Sequence, residues 1–191
     1  MTFRNLVEKS RTCRRFDEKT PISREVLTEL ISLARLTPSA GNLQPLKYIL
    51  SSTPEKNMKI FPHLRWAAYL PDWAGPAEGE KPAAYIIILG DTFITKNFGC
   101  DHGIAAQTIM LGAVEKGISG CMFGSIDRPA LRSALDIPEQ FEILLVIALG
   151  MPKEKVVIEP VGENGNIKYW RDKDEIHHVP KRSIEDLILK I

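Results

Sequence analysis

The sequence predicts a single α/β domain over residues 1–191 with an extended C-terminal tail, and three observations lead there. Two continuous apolar runs, "AAYIIIL" (83–89) and "EILLVIALG" (142–150), suit strands buried on both faces. Residues 101–116 form a helix that is apolar almost all round, so it is either central or covered again by a partner subunit. Beyond residue 151 the chain turns polar, with only short strand candidates.

In chain order, residues 2–9 suit a short helix with Phe3, Leu6 and Val7 on one side. Ser23 is placed as the N-cap of a second helix, with Glu25 in its first turn and Val26, Leu27, Leu30, Ile31 and Ala34 at helical spacing. Pro38 ends this region, and "TPSAGNLQP" is a loop of turn residues. "LKYIL" reads as a strand, and Thr53-Pro54 as the start of a short helix. Residues 62–82, with Trp66, Tyr69, Trp73 and four prolines, form an irregular loop of a length that is often functional. After the 101–116 helix, stopped by Gly117, follow a strand near "GCMFGSI", a helix at 128–136 and the strand "EILLVIALG". In the tail, "VVI" and "IKYW" are strand candidates, and "SIEDLILK" is a closing helix with Ser183 and Asp186 at capping-box spacing. Strand order and direction stay open at this level.

Hydrophobic content of 44% and charged content of 26% are ordinary for a soluble domain. A net charge of +1 gives no global attraction to nucleic acid or an acidic membrane. Residues 1–20 are too charged for a signal peptide, and the apolar runs fall far short of a membrane span. Cys13, Cys100 and Cys121 are odd in number and at no metal-ligand spacing, which suits a reducing compartment and a cytoplasmic protein.

No phosphate loop, GxGxxG, GxSxG or HExxH motif occurs. Cys100, Asp101 and His102 are adjacent at a helix start and point in different directions, so Asp101 reads as a helix cap rather than a ligand. His177 and His178 read as a polar turn, and Cys121 as a small hydrophobe in a strand. What remains is "SRTCRRF", where Arg11, Arg14 and Arg15 crowd around Thr12 and Cys13. Such a cluster is either a solvated basic face or an anion site: guanidinium forks match phosphate oxygens, and a hydroxyl adds a donor. A second basic pair, Lys181-Arg182, would complete a phosphate clamp if the two meet in space.

"SRTCRRF" with Pro21, "LARLTPSAGNLQPLKYIL", "EKGISGCMFGSI", "LLVIALGMP" and "PKRS" stand in the order in which similar pieces occur in the FMN-dependent nitroreductase family, which the chain resembles over nearly its whole length. The resemblance implies an α+β fold in which helices flank a mixed, largely antiparallel sheet, overriding the parallel sheet that alternation of elements suggests. It also implies a homodimer with FMN at the subunit interface and a C-terminal extension wrapping the partner.

By the same resemblance, Arg11, Thr12 and Arg14 match positions that hold the FMN phosphate and ribityl chain. Pro38, Ser39, Ala40, Asn42 and Gln44 match a loop that approaches the flavin from the neighbouring subunit. Met122, Gly124 and Ser125 resemble the segment facing the flavin ring near N5, and Lys181 and Arg182 match late basic residues at the phosphate. Thr12 replaces the commoner serine and keeps the hydroxyl; Leu46 replaces a common tryptophan. The loop bearing Trp66, Tyr69 and Trp73 matches nothing general in the family and is the candidate substrate lid.

The implied activity is transfer of hydride from NADH or NADPH through the flavin to a nitroaromatic, quinone or related acceptor, by ping-pong kinetics. The flavin carries the chemistry, so no catalytic side chain and no metal is expected. Enone reduction, dehalogenation or desaturation on the same fold, a non-catalytic flavin-binding protein, and a basic-patch module for acidic protein or RNA are the alternatives.

Overall fold

The computed structural model describes residues 1–189. Its elements are α1 (Phe3–Lys9), β1 (Phe16–Asp17), α2 (Arg24–Ala34), β2 (Leu46–Ser51), α3 (Pro54–Met58), β3 (Ala84–Asp91), α4 (Asp101–Glu115), β4 (Ser119–Phe123), α5 (Arg128–Ala134), β5 (Phe141–Pro152), β6 (Val156–Pro160), β7 (Trp170–Arg171), β8 (His177–Lys181) and α6 (Ile184–Leu187).

β3 and β5 are the apolar runs, and they pair with each other at the centre of a five-stranded sheet. β2 covers the other edge of β3, while the far edge of β5 takes β4 and then β1. Every pairing in this sheet is antiparallel, which corrects the parallel sheet suggested by alternation and agrees with the α+β expectation. An apolar run reports burial on both faces, not direction.

Strand periodicity divides the core into two layers. Ile86, Ile88, Ile147 and Leu149 face α2 and α4, packing on Leu27, Leu30, Ala106 and Ile109. Tyr85, Ile87, Val146 and Ala148 face the opposite way, against Ile60, Leu64, Phe123 and Leu131. A bulge opposite Ile88 and Leu89 shifts the register, and Arg128 donates to the carbonyls of Ile143 and Leu144 there. α2 lies so close to α4 that a Cβ on Gly112 would stand 2.6 Å from the Leu33 side chain, which would have to shift to admit it.

Helix starts follow the expected chemistry. Ser23, Thr53 and Ser183 each accept a backbone N–H from the first turn, and Ser183 with Asp186 forms the full capping box. Two tail readings need correction. "IKYW" contributes only Trp170 to a strand, and His177-His178 lie on a strand rather than in a polar turn. β8 pairs parallel with β6 and antiparallel with β7, and this pairing with a segment about twenty residues upstream leaves no local periodicity to read. Among the described residues, no helix is long and apolar enough to cross a membrane.

Candidate functional site

The arginine-rich stretch is extended and zipped to β4 and β5. Thr12 forms a parallel bridge with Gly120, and the Cys13 N–H donates to the Gly120 carbonyl at 2.8 Å. Further along, the backbone N–H of Arg14 donates to the Glu154 carboxylate, and the Lys153 N–H donates to the Arg15 carbonyl at 2.9 Å. An extended backbone sends successive side chains to opposite sides, so the crowding seen in sequence is relieved in space.

The three arginines then meet different fates. Arg15 makes a two-point ion pair with Glu80, at 2.7 and 2.9 Å, and a further contact to Glu175 at 2.7 Å. Arg11 donates through Nη2 to the Val7 carbonyl, while its Nε is buried without a partner among the described residues. Arg14 is 9% exposed and forms no ion pair among the described residues. Its Nη1 lies 3.2 Å from His177 Nε2, and the Tyr169 ring covers it at 4.8 Å. The Cys121 thiol beside it is pushed up to about 12 by burial, so it brings no counter-charge. Cys13 is likewise pushed up to about 12 by burial and by Glu154, which leaves it an inert thiol.

A cavity of about 280 Å³ opens here, lined by Arg11, Thr12 and Arg14 from the first stretch, Gln107 and Met110 from α4, and Met122 from β4. The tail closes it with Tyr169, His177, Val179 and Lys181. Lys181 therefore joins the arginine cluster, while Arg182 is exposed and outside the lining. Positive charge, a hydroxyl and unpartnered buried donors stand on this wall, with no carboxylate in its lining among the described residues, a combination chemically suited to an anion. The donor set fits a phosphate.

The loop at 38–44 lies elsewhere. Pro38, Ser39 and Gln44 line a separate cavity of about 290 Å³, which shares no residue with the first. Asp101 is not the helix cap expected; Cys100 holds that position without a side-chain bond. The buried Asp101 carboxylate instead accepts from Ser39 Oγ at 2.6 Å and from the Ala40 N–H at 3.0 Å, tying the loop to the start of α4. Gly41, Asn42 and Gln44 all have positive φ, near 50° to 60°. Two non-glycine residues in that region within one short loop is costly, the kind of strain that collects at binding sites.

Gly124 and Ser125 follow β4 and are exposed, and a Cβ at Gly124 would meet nothing within 4 Å. Trp66 is packed rather than free, edge-on to Phe123 at 4.6 Å and to Trp73 at 6.1 Å. Tyr69 and Trp73 reach the tail: Tyr69 packs on Tyr169 at 4.9 Å, and Arg171 lies over Trp73 at 4.3 Å.

The family model of the nitroreductase family matches residues 7–74 and 83–151. The chain belongs to the nitroreductase family. An archaeal relative from Archaeoglobus fulgidus, provisionally named NADH dehydrogenase/NAD(P)H nitroreductase, is 30% identical over 142 residues, covering 70% of this chain and 76% of its own. The 4-nitrobenzoate reductase of Pseudomonas putida is 26% identical over 184 residues, covering 73% and 81%. Among solved structures, a nitroreductase family protein of Clostridium novyi NT superposes with a TM-score of 0.67 at 23% identity, over 80% of this chain and 86% of that one. A structure from Exiguobacterium sibiricum described as a complex with FMN superposes at 0.66, with 16% identity over 80% and 89%. Both share the nitroreductase fold.

The match stops at residue 151, yet Tyr169, His177, Val179 and Lys181 line the cavity beside Arg14. Sequence reasoning missed Tyr169 and His177 because nothing local marks them: each reaches the site only through long-range pairing of the tail.

Proposed function

We propose that this chain is an FMN-dependent oxidoreductase that takes reducing equivalents from NADH or NADPH and passes them to a nitroaromatic, quinone or related small acceptor. The observation that carries the reading is Arg14: a buried cation without a carboxylate partner among the described residues, lining a cavity with Arg11, Thr12 and Lys181, in a nitroreductase-family chain. A buried charge costs several kcal/mol unless it is paired, so this site calls for an anion. The FMN phosphate would supply it, held by Arg11, Arg14 and Lys181 with Thr12 as a neutral donor. FMN, when bound, supplies the two-electron redox chemistry. The names of the Archaeoglobus and Pseudomonas relatives support the donor and the acceptor class.

A homodimer belongs to this reading. The cavity of about 280 Å³ suits the phosphate end better than a whole flavin nucleotide, since small-molecule pockets usually span about 300–1,000 Å³. The strained loop at 38–44 lies at the start of α4, roughly 13 Å along the helix from Met110. A second copy would bring that loop to the ring, with Gly124 and Ser125 leaving room on the near side. Ile104 on α4, Leu36, Phe3, and the α6 residues Ile184 and Leu187 are exposed apolar side chains that a partner would cover. The three free thiols suit a cytoplasmic setting.

Acid release of the chromophore from the purified protein should give FMN, and light scattering should give twice the 21.4 kDa chain mass. Release of FAD, or no binding when FMN is added, would overturn the cofactor reading. Initial rates with both substrates varied should give parallel double-reciprocal lines, as expected when donor and acceptor share one face in turn.

A further inference from the structure

We propose that His177 is a positioning residue: its imidazole, carried in by the tail, aims the Arg14 guanidinium at the phosphate of the bound nucleotide. The role rests on the FMN reading above and adds to it a residue outside the segments that the family model matches.

His177 sits on β8, is 1% exposed, and is anchored by its own N–H, which donates to the Lys155 carbonyl at 2.8 Å. Its Nε2 stands 3.2 Å from Arg14 Nη1. Arginine has no acceptor, so this contact works only if Nε2 keeps its lone pair and Nδ1 carries the proton. Nδ1 is buried with no partner among the described residues, where the Arg14 contact is the one polar use of the ring. Burial pushes the His177 pKa down to about 4, with Arg14 and Arg171 also opposing a charge and Glu154 favouring one. The ring is therefore neutral near pH 7.

Neutrality is what the position requires. A carboxylate here would satisfy Arg14 and compete with phosphate, as Glu80 satisfies Arg15. An imidazole accepts one N–H and leaves the guanidinium its full charge and its other donors. Tyr169 packs on both partners, 4.8 Å from Arg14 Cζ and 5.1 Å from the His177 ring, which restrains the pair from a second side.

The test compares dissociation constants of FMN and riboflavin for the wild-type apo-protein, His177→Ala, His177→Gln and Arg14→Ala, alone and combined, with a thermal melt of each. Riboflavin lacks the phosphate. His177→Ala should weaken FMN by about tenfold, the scale of a lost charge-assisted contact, and leave riboflavin nearly unchanged. His177→Gln, whose amide oxygen reaches the Nε2 position, should recover most of the loss. In the Arg14→Ala background the histidine substitution should cost FMN affinity little more. Equal weakening of FMN and riboflavin, or the same FMN loss with Arg14 already removed, would overturn the positioning role. A wild-type protein that binds riboflavin as tightly as FMN would instead overturn the phosphate reading, and the role with it.

Discussion

The central sheet and the tail sheet are held by different physics. All eight residues of β3 are buried, and β5 beside it buries Ile143 and Val146 to Gly150. In the tail, β6 and β7 bury nothing fully and β8 buries only His177. Charge fastens the tail instead. Arg171 pairs with Glu154 at 2.9 Å with both side chains almost wholly enclosed, Arg15 reaches Glu175, and His178 lies between Glu159 and Asp172. Apolar burial carries no charge, so neither charge screening nor titration acts directly on the central sheet. They act on the ion pairs of the tail, which completes the cavity beside Arg14, so conditions that loosen the tail should act on that cavity first.

Glu154→Gln should show the largest effect, about 3–5 kcal/mol, because it leaves Arg171 buried and unpaired beneath the tail. Limited proteolysis should then cut first between residues 156 and 181, before the central sheet yields. Global unfolding with no early tail cleavage would mean that the two regions are one cooperative unit. Next comes Ile147→Ala, at about 2–5 kcal/mol for a fully buried side chain. Its loss should appear in the urea midpoint of the whole chain and leave the salt dependence of tail cleavage unchanged.

The neighbouring arginines sharpen the contrast. Arg14→Ala should weaken FMN by about 1.5–3 kcal/mol, the range for a hydrogen bond to a charged group, whereas Arg15→Ala should chiefly loosen the tail. Titrating FMN into each apo-protein separates them, and equal affinities would place the phosphate elsewhere.

The adjacent histidines of β8 supply a pH test. Hydrogen bonds donated by its ring to the Asp172 and Glu159 carboxylates raise the His178 pKa, so its stabilisation is complete below the usual histidine pKa and is lost as pH rises through the raised value. His177 is the reverse: it is lowered to about 4, so the unfolded chain binds the extra proton between about 6.5 and 4, and stability falls as pH falls through that window. Tail protection in hydrogen exchange should therefore peak near neutrality, and His178→Ala should remove the alkaline loss. The smallest effect belongs to Glu175→Gln. Its pair with Arg15 is largely exposed on the glutamate side, so about 0–1 kcal/mol is expected, vanishing in high salt.

Local chemistry in the sequence was enough to determine the caps at Ser23, Thr53 and Ser183, the two central strands and the apolar helix α4, because each depends on neighbours within a few residues or on periodicity. The family pieces in register pointed to Arg11, Thr12, Arg14 and the loop at 38–44, since a motif keeps its order in the chain. Strand order and register in the sheet, the tie from Asp101 to Ser39, and the separate fates of Arg14 and Arg15 were decided only by tertiary structure. So was the tail's part in the cavity: Tyr169 and His177 lie about 160 residues from Arg14, and no local pattern records a contact whose partners meet only after the central sheet has formed. An arginine in sequence is a charge; burial and the partner it finds decide whether that charge is spent on the fold or kept for a ligand.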